Sequence, residues 1–267
     1  MALINWGELW KDKLQNTKRN ELSTTGYWDK RATSFNENMT NMQELTKTQL
    51  NVMQLTPQYT VLDVGAGTGR LTIPIAKRAK QVTAVEPSKK MYNLLEWNIK
   101  KENLQNVTPV NCSCEEFIAD VNIQPYDVVV SSFSLFMVDI ANALQKLDEL
   151  STKHVYIFLS ASTWMSQTLQ RIVRGDADSV NSGDYIYVYN ILHDLGILAN
   201  VEIWNFESNE SYSNLDDAVT KFMEAYHVPL NKETGLREHL NQLLVKENGK
   251  LWLRNKRKAA MIWWTKN

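Results

Sequence analysis

The segment Val61-Leu-Asp-Val-Gly-Ala-Gly-Thr-Gly-Arg70 restricts the possible folds more than any other part of the chain. A short strand-like run passes into three closely spaced glycines, and a helical pattern begins behind them. Glycine permits positive φ and lets a ligand approach the backbone closely. The N-terminus of the following helix offers N–H groups to a carboxylate or phosphate. Downstream, strand-like runs at 60–64, 81–86, 107–111, 126–131 and 154–160 alternate with helical patterns at 71–79, 89–101 and 140–150. Strands separated by helices of this length imply a parallel sheet covered on both faces.

The flanks follow another pattern. Apolar residues at helical spacing in 3–14, and again from Trp28 through Met42 toward Leu55, predict an N-terminal helical cap over 1–56, ended by Pro57. The core is expected over 57–206. It includes a helical piece around Trp164–Arg174, a helix over 185–195 capped by Gly196, and a sixth strand at 199–206. Residues 207–249 read as a helical insert with amphipathic stretches near 215–226 and 236–245. Residues 250–267 return to the core with a last strand at 259–265. The expected fold is therefore α/β and doubly wound. It has a mostly parallel seven-stranded sheet, a helical cap, and a helical insert before the last strand.

Glu86 ends the second strand about 20 residues beyond Gly65, where a doubly wound fold faces the ribose hydroxyls of a bound nucleoside. Nicotinamide and flavin sites favour G-x-G-x-x-G, whose third glycine lets helix and strand pack closely. Counted from Gly65 and Gly67, that position is Arg70. Asp63 also opposes a pyrophosphate and suits an ammonium group.

Asp63-Val-Gly-Ala-Gly-Thr-Gly69 resembles the first motif of class I S-adenosylmethionine-dependent methyltransferases, D-x-G-x-G-x-G, at every defined position. The resemblance implies that Asp63, Gly65, Ala66, Gly67 and Gly69 hold the amino-acid end of S-adenosylmethionine and that Glu86 holds its ribose. Pro87 and Ser88 after the acid are typical of small-molecule members. Cys114, through its backbone, and Glu115 fall where the family places residues along the adenine. Tyr126-Asp127 resembles the fourth motif, which brings Ser131, Ser132 and Phe133 to the cofactor's edge. The family also closes its sheet with a hairpin of the last two strands. Asn5-Trp-Gly-Glu-Leu-Trp10 with Tyr27-Trp-Asp-Lys-Arg-Ala32 is similar to the opening of uncharacterised prokaryotic small-molecule methyltransferases with an N-terminal helical lid.

The resemblance implies in-line methyl transfer to an oxygen, nitrogen or sulfur of a small molecule, with S-adenosylhomocysteine as product. Ser131-Ser-Phe-Ser134 replaces the Asn/Asp-Pro-Pro-Tyr/Phe of many base and amide N-methyltransferases. Tyr27, Trp28, Arg31, Phe35 and Tyr185 are candidates for the lid and acceptor site, and Asp139 and His193 are candidate bases. Arg254-Asn-Lys-Arg-Lys258 is the one dense basic cluster and keeps an RNA methyltransferase open as an alternative. An NAD(P)-dependent oxidoreductase and a non-catalytic nucleoside-binding protein rank behind it.

A formal net charge of −1 gives no global field for a polyanion, so nucleic acid is not favoured as a partner. Cys112 and Cys114 lack Cys or His partners at zinc spacing, so no metal is expected. They also indicate no disulfide framework. No signal peptide or membrane span is read, and a reducing, cytoplasmic setting is expected.

Overall fold

A computed structural model describes residues 4–15, 24–120, 122–162, 167–174, 184–226 and 228–266. The expected helical piece around Trp164–Arg174 is described only from Gln167, and Trp164 lies outside these residues. The chain divides into two compact units: residues 1–160, 184–203 and 260–267 form the first, and 161–183 with 204–259 form the second.

The first unit is built on parallel strands β1 (Thr60–Val64), β2 (Gln81–Val85), β3 (Val107–Val110), β4 (Tyr126–Ser132) and β5 (Ser151–Ser160). Sheet order is β3-β2-β1-β4-β5-β8-β6, where β6 is Asn200–Tyr212 and β8 is Lys250–Thr265. The first four of these pairings along the path are parallel, with Leu62 opposite Thr83 on β2 and Val129 on β4. Val61, Leu62, Val82, Ala84, Val128, Val129, Val130, Ile157 and Phe158 are almost wholly buried. Near-continuous apolar runs of this kind belong to strands covered on both faces. The sheet order reverses at β1, and ligands of open α/β sheets bind at such a switch point beyond the C-terminal strand ends.

Helices α1 (Trp6–Gln15), α2 (Thr25–Glu37) and α3 (Gln43–Val52) precede the sheet. The single periodic run read from Trp28 to Leu55 is thus two helices joined by a 3₁₀ turn at Asn38–Met42. Helices α4 (Thr72–Ala76), α5 (Lys89–Lys101), α6 (Cys114–Ile118) and α7 (Ile140–Glu149) link the strands. A tight 3₁₀ stretch changes the direction of the apolar stripe without interrupting its spacing, so the sequence pattern does not show the break. Helix α1 is anchored deeply: Trp10 is 1% exposed and its indole N–H donates to the Met137 carbonyl at 2.8 Å. Trp6 and Trp10 meet the Tyr187 ring edge-on, and Lys13 pairs with Asp184 at 3.0 Å. Tyr187 and Asp184 belong to α9 (Asp184–Asp194).

The second unit contains α8 (Gln167–Arg174), α10 (Leu215–Tyr226), α11 (Glu233–Leu243) and β7 (Leu244–Glu247), which is antiparallel to β8. Leu169, Tyr212, Val219, Phe222, Leu236, Leu240 and Leu253 form its core. It is wider than the helical insert read at 207–249, because it also takes in α8, most of β6 and the first part of β8. Polar residues along these strand extensions hide the strand pattern; within β8, exposed Arg254, Lys256 and Lys258 alternate with more buried neighbours.

Candidate functional site

The glycine loop turns back on β2. The Gly65 and Ala66 amides both donate to the Val85 carbonyl at 2.9 Å, which fixes the exit from β1. Gly65 has φ +75°, and a Cβ there would lie 2.2 Å from the Ser134 Cβ. Gly67 has φ +60°, and its N–H donates to Glu86 Oε2 at 2.8 Å. The Ser88 amide donates to Glu86 Oε1, also at 2.8 Å. Behind this carboxylate, the Asn111 side-chain amide donates to the carbonyls of Glu86 (2.8 Å) and Pro87 (3.2 Å).

Two buried carboxylates meet this loop. Burial raises Glu86 to about 7, against the lowering pull of the Ser88 and Gly67 amides, and the negative Asp63 and Asp29 add to the rise. Burial likewise raises Asp63 to about 6, opposed by a 2.6 Å hydrogen bond from the Thr72 hydroxyl and by the charge of Arg70. Carboxylates raised in this way favour a ligand that brings positive charge or hydroxyl donors.

Other expected site residues serve partly as scaffold. Cys114 is buried in the first turn of α6, behind a reciprocal cap formed by Ser113 and Glu116; Glu115 is exposed beside it. The Ser131 and Ser134 hydroxyls lie 2.8 Å apart, and that of Ser134 donates to the Val64 carbonyl at 2.6 Å. Ser132 Oγ accepts from Arg70 at 2.8 Å and from the Gln49 amide at 3.0 Å. Phe133 has φ +56°, a conformation that costs energy for a bulky side chain and clusters at functional sites, and its N–H donates to Phe158 at 2.8 Å. Asp139 caps α7 by accepting from the Asn142 amide at 3.1 Å and is exposed. His193 is also exposed, 3.9 Å from Asp194. Neither of these two joins the buried carboxylates. Tyr185 packs half-buried against the main core.

The cap aromatics do converge. Trp28 meets Tyr27, Phe35 and Phe136 with centroids 5.2, 6.3 and 5.9 Å away, and Arg31 lies 3.7 Å over the Tyr27 ring. Phe35 Cε1 would be 3.6 Å from a Cβ placed on Gly67, so α2 rests directly on the loop.

Sequence reading missed how the cap is fastened there. Asp29 Oδ1 accepts from the Ser88 hydroxyl at 2.6 Å and from the Lys90 amide at 3.0 Å. Asn98 donates to Asn36 and to the Thr68 carbonyl, each at 2.8 Å. Arg70 donates to Thr46 and Gln49 of α3, at 2.8 and 2.7 Å. No local pattern announces such contacts, because each joins residues at least 21 positions apart.

Residues 61–153 match a family model described as a methyltransferase domain. This part of the chain is a methyltransferase domain, and its fold is that of class I methyltransferases. Along its whole length the chain is similar to an uncharacterized protein of Haemophilus influenzae, 27% identical with 98% of this chain and 96% of the relative covered. A probable ribosomal RNA small subunit methyltransferase A of Methanosphaera stadtmanae is 37% identical over 73 residues, 27% of this chain and 26% of the relative. The chain therefore spans about a quarter of that relative's length. The methyltransferase fold is shared with the YcgJ protein from Bacillus subtilis, with a TM-score of 0.57 and 14% identity, covering 83% of this chain and 97% of that one. The residues at the methyltransferase loop fit the cofactor. Glu86 offers two acceptor oxygens, Asp63 a buried negative charge, and Gly67 a face without a side chain.

Proposed function

We propose that the chain transfers the methyl group of S-adenosylmethionine to an oxygen, nitrogen or sulfur of a small molecule. The observation that carries the small-molecule part is the aromatic wall of Trp28, Phe35 and Phe136, with Phe35 set directly on Gly67. An aromatic wall beside the glycine loop suits an acceptor with a small apolar body. A cleft for structured RNA would be open and basic instead. The basic cluster that favoured RNA is partly neutralised, since Arg254 pairs with Glu247 and Arg257 with Glu210.

When bound, the cofactor supplies a sulfonium methyl that an acceptor displaces in line. In this reading Glu86 accepts from the ribose hydroxyls, Asp63 holds the ammonium, and the loop backbone at Gly65–Gly69 fixes the amino-acid end. Cys114, through its backbone, and Glu115 lie along the adenine. Pro87, Ser88 and the Ser131–Phe133 turn complete the rim. Tyr27, Trp28, Arg31, Phe35 and Tyr185 select and orient the acceptor. Holding acceptor and methyl carbon about 3–3.5 Å apart accounts for most of the acceleration, and a base is needed only for an acceptor that arrives protonated. Asp139 and His193 are surface groups, so a base-independent transfer suits this arrangement better.

The test measures S-adenosylhomocysteine formation with a panel of phenols, amines, thiols and carboxylic acids, and separately with ribosomal RNA. Turnover with a panel member, insensitive to salt, supports the proposal. Turnover with RNA alone, falling steeply with salt, overturns it.

A further inference from the structure

Arg70 occupies the place where a dinucleotide site carries its third glycine, and both terminal nitrogens of its guanidinium are engaged. One terminal nitrogen donates to Thr46 and Gln49 of α3 and the other to Ser132 at the end of β4. Gln49 closes the ring by donating to the same Ser132 oxygen. Ser132 immediately precedes Phe133, whose backbone is left-handed. Arg70 is also the cation that acts on buried Asp63.

We propose that Arg70 is a positioning residue for the cofactor: its guanidinium joins the cap helix α3 to the strained end of β4 and serves as the counter-charge of Asp63. The proposal rests on the reading of Asp63 as the ammonium-binding carboxylate. A planar fork satisfies two oxygens on α3 and one on β4 at once, which a lysine ammonium cannot do with the same fixed geometry. The charge has a second effect. Asp63 binds an ammonium only when ionised, and burial favours its neutral form. The groups that face it are Arg70 and the Thr72 hydroxyl, with Glu86 across the loop and Asp29 beyond Glu86. Arg70 is the only cation acting on Asp63 among these, so its removal shifts Asp63 further toward the neutral form.

The experiment titrates S-adenosylhomocysteine calorimetrically into the wild-type protein, Arg70→Met, Arg70→Lys and Ser132→Ala, between about pH 6 and about pH 9. The product retains the ammonium and ribose that the site would read. To separate the two carboxylates, Arg70→Met is repeated on a Glu86→Gln background, where Glu86 no longer titrates. Arg70→Met is expected to bind about tenfold more weakly at neutral pH, and its affinity to fall off about one pH unit higher than in the wild type, with or without Glu86→Gln. Arg70→Lys should keep the wild-type pH profile while losing affinity. Ser132→Ala should lose affinity without any pH shift. An Arg70→Met profile superimposable on the wild type overturns the counter-charge, and unchanged affinity in both Arg70→Lys and Ser132→Ala overturns the positioning. If Arg70→Met does not fold, the last two variants still decide the positioning, and the Arg70→Lys profile decides the charge: a shift despite the retained cation overturns it. Failure of the wild-type protein to bind S-adenosylhomocysteine would refute the underlying reading instead.

Discussion

The Gly67 amide donates to the Glu86 carboxylate at 2.8 Å, joining the loop after β1 to the end of β2. The same carboxylate takes the Ser88 amide on its other oxygen. A buried acid held only by neutral donors is poised for ligand hydroxyls and costly to ionise without them.

That cost predicts a stability that depends on pH. Glu86 is raised from about 4.5 to about 7 in the folded chain. Between those values the folded state holds a proton that the unfolded chain has released, so stability falls as pH rises through this window and stays low above it. Glu86→Gln removes the titration but sets an amide N–H against one of the two backbone donors, so stability should be lower at acid pH and should no longer fall between about pH 4.5 and about pH 7. The same change should weaken S-adenosylhomocysteine binding at least about tenfold. Urea melts at two pH values and calorimetry check both. A variant whose stability still falls through this window, or that binds as tightly as the wild type, would contradict the assignment.

Asp29 predicts the opposite sign. The Ser88 hydroxyl and the Lys90 amide hold it below the usual carboxylate range. Its contribution is therefore present above the unfolded carboxylate pKa and is lost as pH falls through its lowered value. Asp29→Ala should cost about 0.5–2 kcal/mol, as removal of a helix cap does. Faster amide exchange at Lys90, measured by NMR, would locate the loss at the start of α5.

Two glycines with similar φ should respond differently to alanine. Gly65 (φ +75°) would drive its new Cβ into Ser134, whereas nothing lies within 4 Å of one on Gly196 (φ +77°). Gly196→Ala should cost roughly 1–2 kcal/mol from backbone conformation alone. Gly65→Ala adds a steric clash and should exceed it by about 1–3 kcal/mol or prevent folding. Equal melting temperatures for the two variants would show that the loop yields to Ser134.

Trp10 tests whether the first helix belongs to the fold. Its ring is buried and its N–H is bonded to Met137 at 2.8 Å. Trp10→Ala should cost about 3–5 kcal/mol, and Trp10→Phe a smaller amount that includes the unsatisfied Met137 carbonyl. Chemical denaturation measures the difference, and a loss under about 1 kcal/mol for alanine would mean that the helix is dispensable.

The parts legible in sequence were those set by local rules. The β1, β2, β4 and β5 strands carry their burial as largely apolar runs, and the glycine loop shows its backbone demands in its composition. Ser88 and Ser113 cap their helices from within three residues, a spacing the sequence displays. Beyond that range the pattern is silent. The 3₁₀ turn at Asn38–Met42 conserves the hydrophobic spacing while redirecting the chain, and the polar residues that extend β6 and β8 resemble loop. Arg70 was informative only by exclusion, as a residue that could not be the third glycine. Its bonds to Thr46, Gln49 and Ser132 depend on where three separate elements come to rest. Asp139, attractive as an isolated acid, is used by the fold as a cap.

The close approach of Gly65 to Ser134 also bears on how this sequence can drift. No side chain at position 65 fits while Ser134 stays where it is, and a residue without a hydroxyl at 134 would lose the bonds to Ser131 and Val64. The two positions are thus constrained as a unit. Related chains that keep the loop should keep both residues or replace both together, a signature that comparison of descendants could recover without any assay.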